Sequence, residues 1–367
     1  MINNAILTLA RSKLQQATKK LCALEFNDDI DEIIDFLKKI NQDILPDKEY
    51  IKQENANILK NKCEIISIND NKYPKLLKQT YLSPLMLSVK GNIDFLSSDT
   101  VAFVGSRTLD TGDAEIICQI VKSINEVGVG IVSGLAYGSD IVAHIQSIST
   151  GTIAVMPCGF KYCYPKEHRQ ILDKIIDFGG IAISEFPFEE PPKQQNFIKR
   201  NATIVGLANS VIIARARSRK SGTMSSANFA TKFNKNIYTL HFLGKNDGNE
   251  YLLNNDIADK ITNLEELKYS ILIDIANNEN LVNNTYINFN ASSKENTKQS
   301  FLFSHNEGNS IANEVGNILL YSEKCQNIKK NESELPMLYQ ICCKELQPNN
   351  MEKREILKVL LEIILKI

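Results

Sequence analysis

Three short glycine-bearing stretches hold residue types that suit an anion. Gly105-Ser106-Arg107 follows the apolar run 101–104, and Ser133-Gly134-Leu135-Ala136-Tyr137-Gly138 follows a second apolar run, 129–132. Glycine lets a backbone come close to an anion, while the start of a following helix offers unpaired N–H groups and partial positive charge. Gly105-Ser106-Arg107 therefore reads as a phosphate seat with its own cation. A lone Gly-Ser-Arg is more simply a tight turn, but two such loops in consecutive units shift the reading to anion binding. The third stretch, Ser221-Gly222-Thr223, comes after Arg215, Arg217, Arg219 and Lys220 and opens a run of small residues. Its hydroxyls and N–H groups suit one anion position; as a simple helix cap, Ser221 would contribute about 1 kcal/mol.

A fourth stretch, Phe197-Ile198-Lys199-Arg200-Asn201, puts an aromatic beside two cations and an amide. That composition suits stacking a base and holding its backbone, although phenylalanine near arginine is also ordinary packing. Between residues 191 and 246 stand Lys193, Lys199, Arg200, Arg215, Arg217, Arg219, Lys220, Lys232, Lys235 and Lys245, with no Asp or Glu, in a chain of net charge −1. Such segregation is what a polyanion-binding face requires, since each neutralised phosphate releases counterions. The competing explanation is a solvated surface whose acids lie elsewhere in space.

Other chemistry finds little support. The chain has no GxxxxGK[ST], HExxH or GxSxG motif. Asp140 and His144 lie four apart on one helix face, an arrangement that suits either an acid-oriented imidazole or a loop held against its helix. Cys158, Cys163 and His168 are close in sequence but lack a fourth ligand at usable spacing, so no metal and no cofactor are expected. The eight cysteines (22, 63, 118, 158, 163, 325, 342 and 343) are scattered over 367 residues, which favours buried reduced thiols over a disulfide framework. No apolar run has the length of a membrane span, and the expected compartment is the cytoplasm.

The elements that must position these residues follow from periodicity. Ile117, Ile120, Val121 and Ile124 repeat at the spacing of a helix with one buried stripe. Strand-like runs at 101–104, 129–132, 152–156, 181–186, 211–214 and 237–240 alternate with helical stretches at 167–178, 197–209 and 225–233. Six strands alternating with helices predict an α/β fold, a Rossmann-like doubly wound parallel sheet over residues 63–267. Within it, 63–98 reads as a lead-in of strand, Tyr-Pro turn, short helix and strand that packs against the sheet's edge. Residues 1–62 form a small helical N-terminal region, with Ile33, Ile34, Phe36, Leu37 and Ile40 as its buried stripe. Residues 268–334, dense in Asn, Ser, Lys and Glu, read as a linker or poorly ordered stretch. A small helical C-terminal region, 335–367, carries the stripe Ile356, Leu357, Leu360, Leu361 and Ile364.

Residues 63–253 resemble the DprA/Smf family of DNA-processing proteins. The resemblance is carried, in order, by Tyr73-Pro74, Lys90-Gly91-Asn92, Val104-Gly105-Ser106-Arg107, Ser133-Gly134-Leu135-Ala136 with Gly138, Asp140, Ala143 and His144, Cys158-Gly159, Tyr164-Pro165, Ser184-Glu185, Phe197 with Arg200-Asn201 and Gly206-Leu207, and Ser221-Gly222-Thr223 with Ala227. It implies a protein that binds single-stranded DNA, protects it during natural transformation, loads the RecA recombinase, and acts as a homodimer rather than as an enzyme. Carried onto this sequence, Gly105, Ser106, Arg107, Gly134, Phe197, Arg200, Asn201, Ser221 and Gly222 line the DNA groove; Lys193, Lys199, Arg219 and Lys220 join them from the basic block. The C-terminal region corresponds to where many members carry a small winged-helix domain, of which it is at most a partial element. Ile198 and Ala202 replace the family's usual proline and second arginine, Ala214-Arg215-Ala216 replaces its Glu-Ala, and Thr239-Leu240-His241-Phe242 replaces its Ala-Val-Pro-Gly.

A rival reading is a nucleotide monophosphate phosphoribohydrolase of the lysine-decarboxylase-like family, which resembles this fold and its glycine loops. Its catalytic glutamate falls on Ser226 here, and a hydroxyl cannot supply that charge. A third reading is a scaffold whose basic face docks an acidic partner protein.

Overall fold

The computed structural model describes residues 4–26, 29–241, 247–294, 354–358, 360 and 361. The chain divides into two compact units, residues 1–11 with 46–282, and residues 12–45 with 283–367. Four helices open it: α1 (Asn4–Arg11), α2 (Gln16–Glu25), α3 (Ile30–Ile40) and α4 (Lys48–Lys60). α1 and α4 belong to the first unit, α2 and α3 to the second. In the second unit Ile33, Ile34 and Leu37 are buried, with Phe36 and Ile40 less so, as the stripe predicted. Ile356, Leu357, Leu360 and Leu361 are buried there too, and Arg354 Nε donates to the Glu25 carbonyl at 3.1 Å while Lys358 pairs with Glu32 at 2.6 Å. Ile364 lies outside the described residues.

The first unit is built on a nine-stranded sheet. Its elements run β1 (Glu64–Ser67), α5 (Lys75–Gln79), β2 (Met86–Gly91), β3 (Thr100–Val104), α6 (Asp113–Glu126), β4 (Gly130–Ser133), α7 (Ser139–Ser147), β5 (Thr152–Val155), α8 (Arg169–Asp177), β6 (Ile181–Ser184), α9 (Gln194–Leu207), β7 (Ser210–Ile213), α10 (Gly222–Lys232), β8 (Ile237–Thr239), α11 (Asp247–Asn254), β9 (Asp259–Lys260) and α12 (Leu264–Lys294). The strand order is β1-β2-β6-β5-β4-β3-β7-β8-β9, with β3 to β9 parallel and β1 and β2 antiparallel. All six predicted strands are present. β3 to β8 are buried along their whole length, the pattern of a sheet covered on both faces.

Two features depart from the expectation. The lead-in enters the sheet rather than packing against it: β2 pairs antiparallel with β6, Ser88 opposite Ser184. The domain edge drawn at residue 267 falls inside α12, where Leu267, Ile271 and Ile275 are buried in the same cluster as Phe103, Val121, Ile124 and Ile212. Asparagine-rich composition hid an apolar repeat of three to four residues. Of the stretch expected as linker, residues 295–334 lie outside those described.

Candidate nucleic-acid interface

Strand order sets the position of the site. From β3 the chain winds through β4 and β5 to β6, then returns to place β7 on the other side of β3. The order therefore reverses between β3 and β7, and ligands of open α/β sheets bind beyond the carboxyl ends of strands at such a point. Ser106 and Arg107 leave β3 there, and the segment from Ala214 to Lys220 leaves β7. Arg217 Nε donates to Ser106 Oγ at 3.2 Å, so the two segments touch.

A second convergence joins β3, β4 and α9. The guanidinium carbons of Arg107 and Arg200 lie 5.3 and 5.9 Å from the centre of the Phe197 ring, and Tyr164 meets that ring edge-on at 5.1 Å. Arg200 extends under the β4 loop, where a Cβ on Gly134 would fall within its guanidinium; only glycine permits that approach. Gly138, at φ 74°, is held against the Ser106 carbonyl, where a Cβ would collide with backbone. The two glycine loops and α9 thus form one packed junction.

Its interior is polar and largely paired, with the buried Arg200 Nε left without a hydrogen-bond partner among the described residues. Arg200 is 4% exposed and Asp140 5%; Nη1 and Oδ2 are 3.7 Å apart, and Asp140 Oδ2 also accepts from the N–H of Gly134 at 3.2 Å and of Ala136 at 3.4 Å. Burial raises the Asp140 carboxyl above its ordinary range against the pull of Arg200, and burial lowers Arg200. His144, fully buried, accepts from the Leu135 N–H at 3.3 Å through Nε2. Its Nδ1 lies 2.8 Å from Thr152 Oγ1, whose own hydrogen goes to the Ile131 carbonyl, so the proton sits on Nδ1. Burial, then the charge of Arg200, push His144 down to about 3. Leu135 has φ 58°, unusual for a residue with a Cβ, and is clamped by His144 on its N–H and by His168 Nδ1, 2.7 Å from its carbonyl. Asp140 and His144 hold the loop against α7 and share no hydrogen bond in doing so.

The predicted site residues divide into groups. Gly105, Ser106, Arg107, Gly134, Phe197 and Arg200 come together at the junction. Asn201 Nδ2 donates to Ser225 Oγ at 2.8 Å and the Gly222 carbonyl at 3.3 Å, tying α9 to the start of α10. Ser221 makes no capping bond, and its buried hydroxyl has no partner among the described residues, whereas Gly222 is exposed. Lys193, just before α9, and Lys199, on its second turn, are exposed, with Lys193 paired to Glu190 at 2.8 Å. Arg219 and Lys220 are exposed, and Arg219 stacks over Tyr251, 4.8 Å from its ring centre.

The basic block is partly neutralised by acids from outside it. Besides Asp140 and Glu190, Asp110 and Asp113 pair with Arg215 at 3.0 and 2.5 Å, and Asp110 with Arg217 at 2.6 Å. Lys235 is half-buried and lowered to about 8 by desolvation, and Lys245 lies outside the described residues. Two rim residues went unseen in the sequence. One is Arg217, counted only as charge. The other is Tyr137, 42% exposed, ring-to-edge on His168 with its hydroxyl donating to Glu167 at 2.7 Å. No group of three His, Cys, Asp or Glu among the described residues is placed to hold a metal ion. Burial pushes the Cys158 and Cys163 thiols up to about 12 and about 11.

Comparison with known proteins bears on this junction. Residues 64–271 match the model of the DNA recombination-mediator protein A family, more than half of the chain. The chain belongs to this family. It is 33% identical over 207 residues to protein Smf of Borreliella burgdorferi, covering 54% of this chain and 65% of that protein. Over 197 residues it is 33% identical to the DNA processing protein DprA of Streptococcus pneumoniae, covering 53% and 69%. The chain thus spans about two thirds of the length of these relatives. The solved structure of the Streptococcus pneumoniae DprA aligns over 74% of this chain and 98% of its own, at 28% identity and TM-score 0.63. The DNA processing protein A of Helicobacter pylori, described with a single-stranded DNA binding mode, aligns over 58% and 96%, at 27% identity and TM-score 0.52. No helix among the described residues is long and apolar enough to cross a membrane.

Proposed function

We propose that this chain binds single-stranded DNA across the loops that follow β3, β4 and β7, protects the strand, and loads a RecA-type recombinase onto it during natural transformation. It acts in the cytoplasm, as a homodimer, and performs no chemistry on the strand. The observation that carries the reading is the convergence of Arg107 and Arg200 on Phe197, with Gly134 against the Arg200 guanidinium, beside the exposed Lys199 of α9. An exposed guanidinium on an aromatic face suits a nucleotide, with the phosphate taken by charge and the base by stacking. Membership of a recombination-mediator family and the strand-binding relative from Helicobacter pylori support it. The division of labour is local: Arg107, Lys199, Arg219 and Lys220 contact phosphates, whereas Arg200 and Asn201 position Phe197 and the α10 start.

The test is fluorescence anisotropy of a labelled oligo-dT against its duplex, with AMP as competitor. Preference for the single strand, unaffected by AMP, is expected; recombinase loading is then read by strand exchange. Indifference to DNA with AMP bound or cleaved would transfer the site to a nucleotide hydrolase. Against that outcome stands Ser226, buried in α10 where the hydrolase motif requires a carboxylate.

A further inference from the structure

One charged constellation at the strand reversal has no role in the reading above. Arg215 is buried and pairs through Nη2 with Asp113, itself buried at the first turn of α6, and through Nη1 with Asp110. That arrangement pins the end of β7 to α6. Arg217, two residues on, has a different character. Its side chain is 41% exposed; Nε donates to Ser106 Oγ at 3.2 Å and to the Thr108 carbonyl at 3.3 Å, and Nη2 donates to the same carbonyl at 3.2 Å and to Asp110 Oδ1 at 2.6 Å. The Asp110 side chain is 53% exposed.

An exposed guanidinium, a hydroxyl and a glycine turn at the strand reversal are the parts of a phosphate seat, and here a carboxylate of the protein fills it. Carboxylate and phosphodiester oxygens suit the planar guanidinium fork equally. The hydrogen bond from Arg217 lowers Asp110 below the ordinary carboxyl range, so it is ionised at neutral pH and competes with any other anion for Arg217. Exposed ion pairs are weak, so exchange costs little.

We propose that Arg217 and Ser106 form a further phosphodiester seat, held in the free protein by Asp110 and given to a backbone phosphate when a single strand docks. The inference rests on the single-stranded DNA reading. It makes Arg217 a binding residue and Asp110 an internal competitor that lowers affinity.

The experiment measures oligo-dT affinity across a salt series for the parent protein, Asp110→Asn, Arg217→Ala and the double variant. Glu115→Gln, an exposed acid on α6, controls for net charge. The amide introduced by Asp110→Asn keeps an acceptor, and Arg215 keeps Asp113; circular dichroism verifies the fold. Asp110→Asn is expected to tighten binding about two- to fivefold, whereas Arg217→Ala loses one phosphate contact and flattens log K against log salt by about 0.7. Arg217→Ala weakens binding, Asp110→Asn adds nothing in its background, and Glu115→Gln leaves affinity unchanged. A gain that persists without Arg217, or that Glu115→Gln reproduces, is general repulsion and overturns the proposal. So does an absent gain, and so does AMP competition that appears only in Asp110→Asn, which would assign the seat to a mononucleotide. A parent protein that fails to bind oligo-dT removes the strand reading and this inference together; one that binds, with no response to Asp110→Asn, removes the inference alone.

Discussion

Arg107 and Arg200 face the same phenylalanine ring, and burial gives them different work. Arg107 is exposed, so its truncation removes a cation–π contact worth about 0.5–1 kcal/mol and a charge directed at solvent. Arg200 is the cation for a carboxylate that is itself 5% exposed. Removing one member of such a pair typically costs about 3–5 kcal/mol, because the other charge stays buried. Arg107→Ala is therefore expected to unfold in urea close to the parent midpoint while losing oligo-dT affinity several-fold. Arg200→Ala is expected to lose much of its stability. Equal urea midpoints for Arg200→Ala and the parent would refute the structural role of the Arg200–Asp140 pair. At this scale the sequence is legible where neighbours in the chain are neighbours in space, as Phe197, Arg200 and Asn201 are on successive turns of α9. It is not legible for Asp110 and Arg217, whose bond spans 107 positions and hid the neutralisation of the basic block.

The β4 loop shows how one element is kept in an unfavourable shape. Leu135 holds φ 58° because its N–H and carbonyl are each taken by a buried histidine, and the N–H bond requires His144 to be neutral. Unfolded, His144 titrates near 6.5; folded, burial and Arg200 hold it near 3. With the folded pKa depressed, the stabilisation is fully present above 6.5 and is lost as pH falls through that window toward 3. Between pH 7 and 5 the parent should lose about 2 kcal/mol through this group, read as falling urea midpoints. His144→Asn should lack that increment, and identical pH slopes for the two proteins would show that the imidazole is not the cause. The pairing of Asp140 with His144 at a four-residue spacing was visible in the sequence. What each bonds was not, because the partners are backbone groups of a loop whose path periodicity does not describe.

Across the whole first unit, the parallel strands were readable because each is a short apolar run ending at a turn. The antiparallel edge was not, since strand direction depends on where Tyr73-Pro74 and α5 send the chain. Helix α12 was missed for a related reason: its apolar residues are diluted by Asn and Glu, and only the sheet face reveals them as a stripe. That face makes α12 part of the core. Leu267, Ile271 and Ile275 are buried, and Asp274 accepts from the Tyr238 hydroxyl at 2.8 Å and from Asn236 Nδ2 at 2.6 Å. Burying each such aliphatic side chain is worth about 1.5–3 kcal/mol, so the three together approach the roughly 5–15 kcal/mol of typical domain stability. A chain ending at Asn263 is therefore expected to expose Ile124 and Ile212, to bind a hydrophobic dye and to aggregate. A chain ending at Val282 should retain a cooperative thermal transition, because the residues that cover the sheet are then present. Matching transitions for the two would mean that the helix is an appendage and that the edge read at residue 267 was the true one. The two outcomes differ because apolar area removed from water, rather than sequence composition, decides where a domain ends.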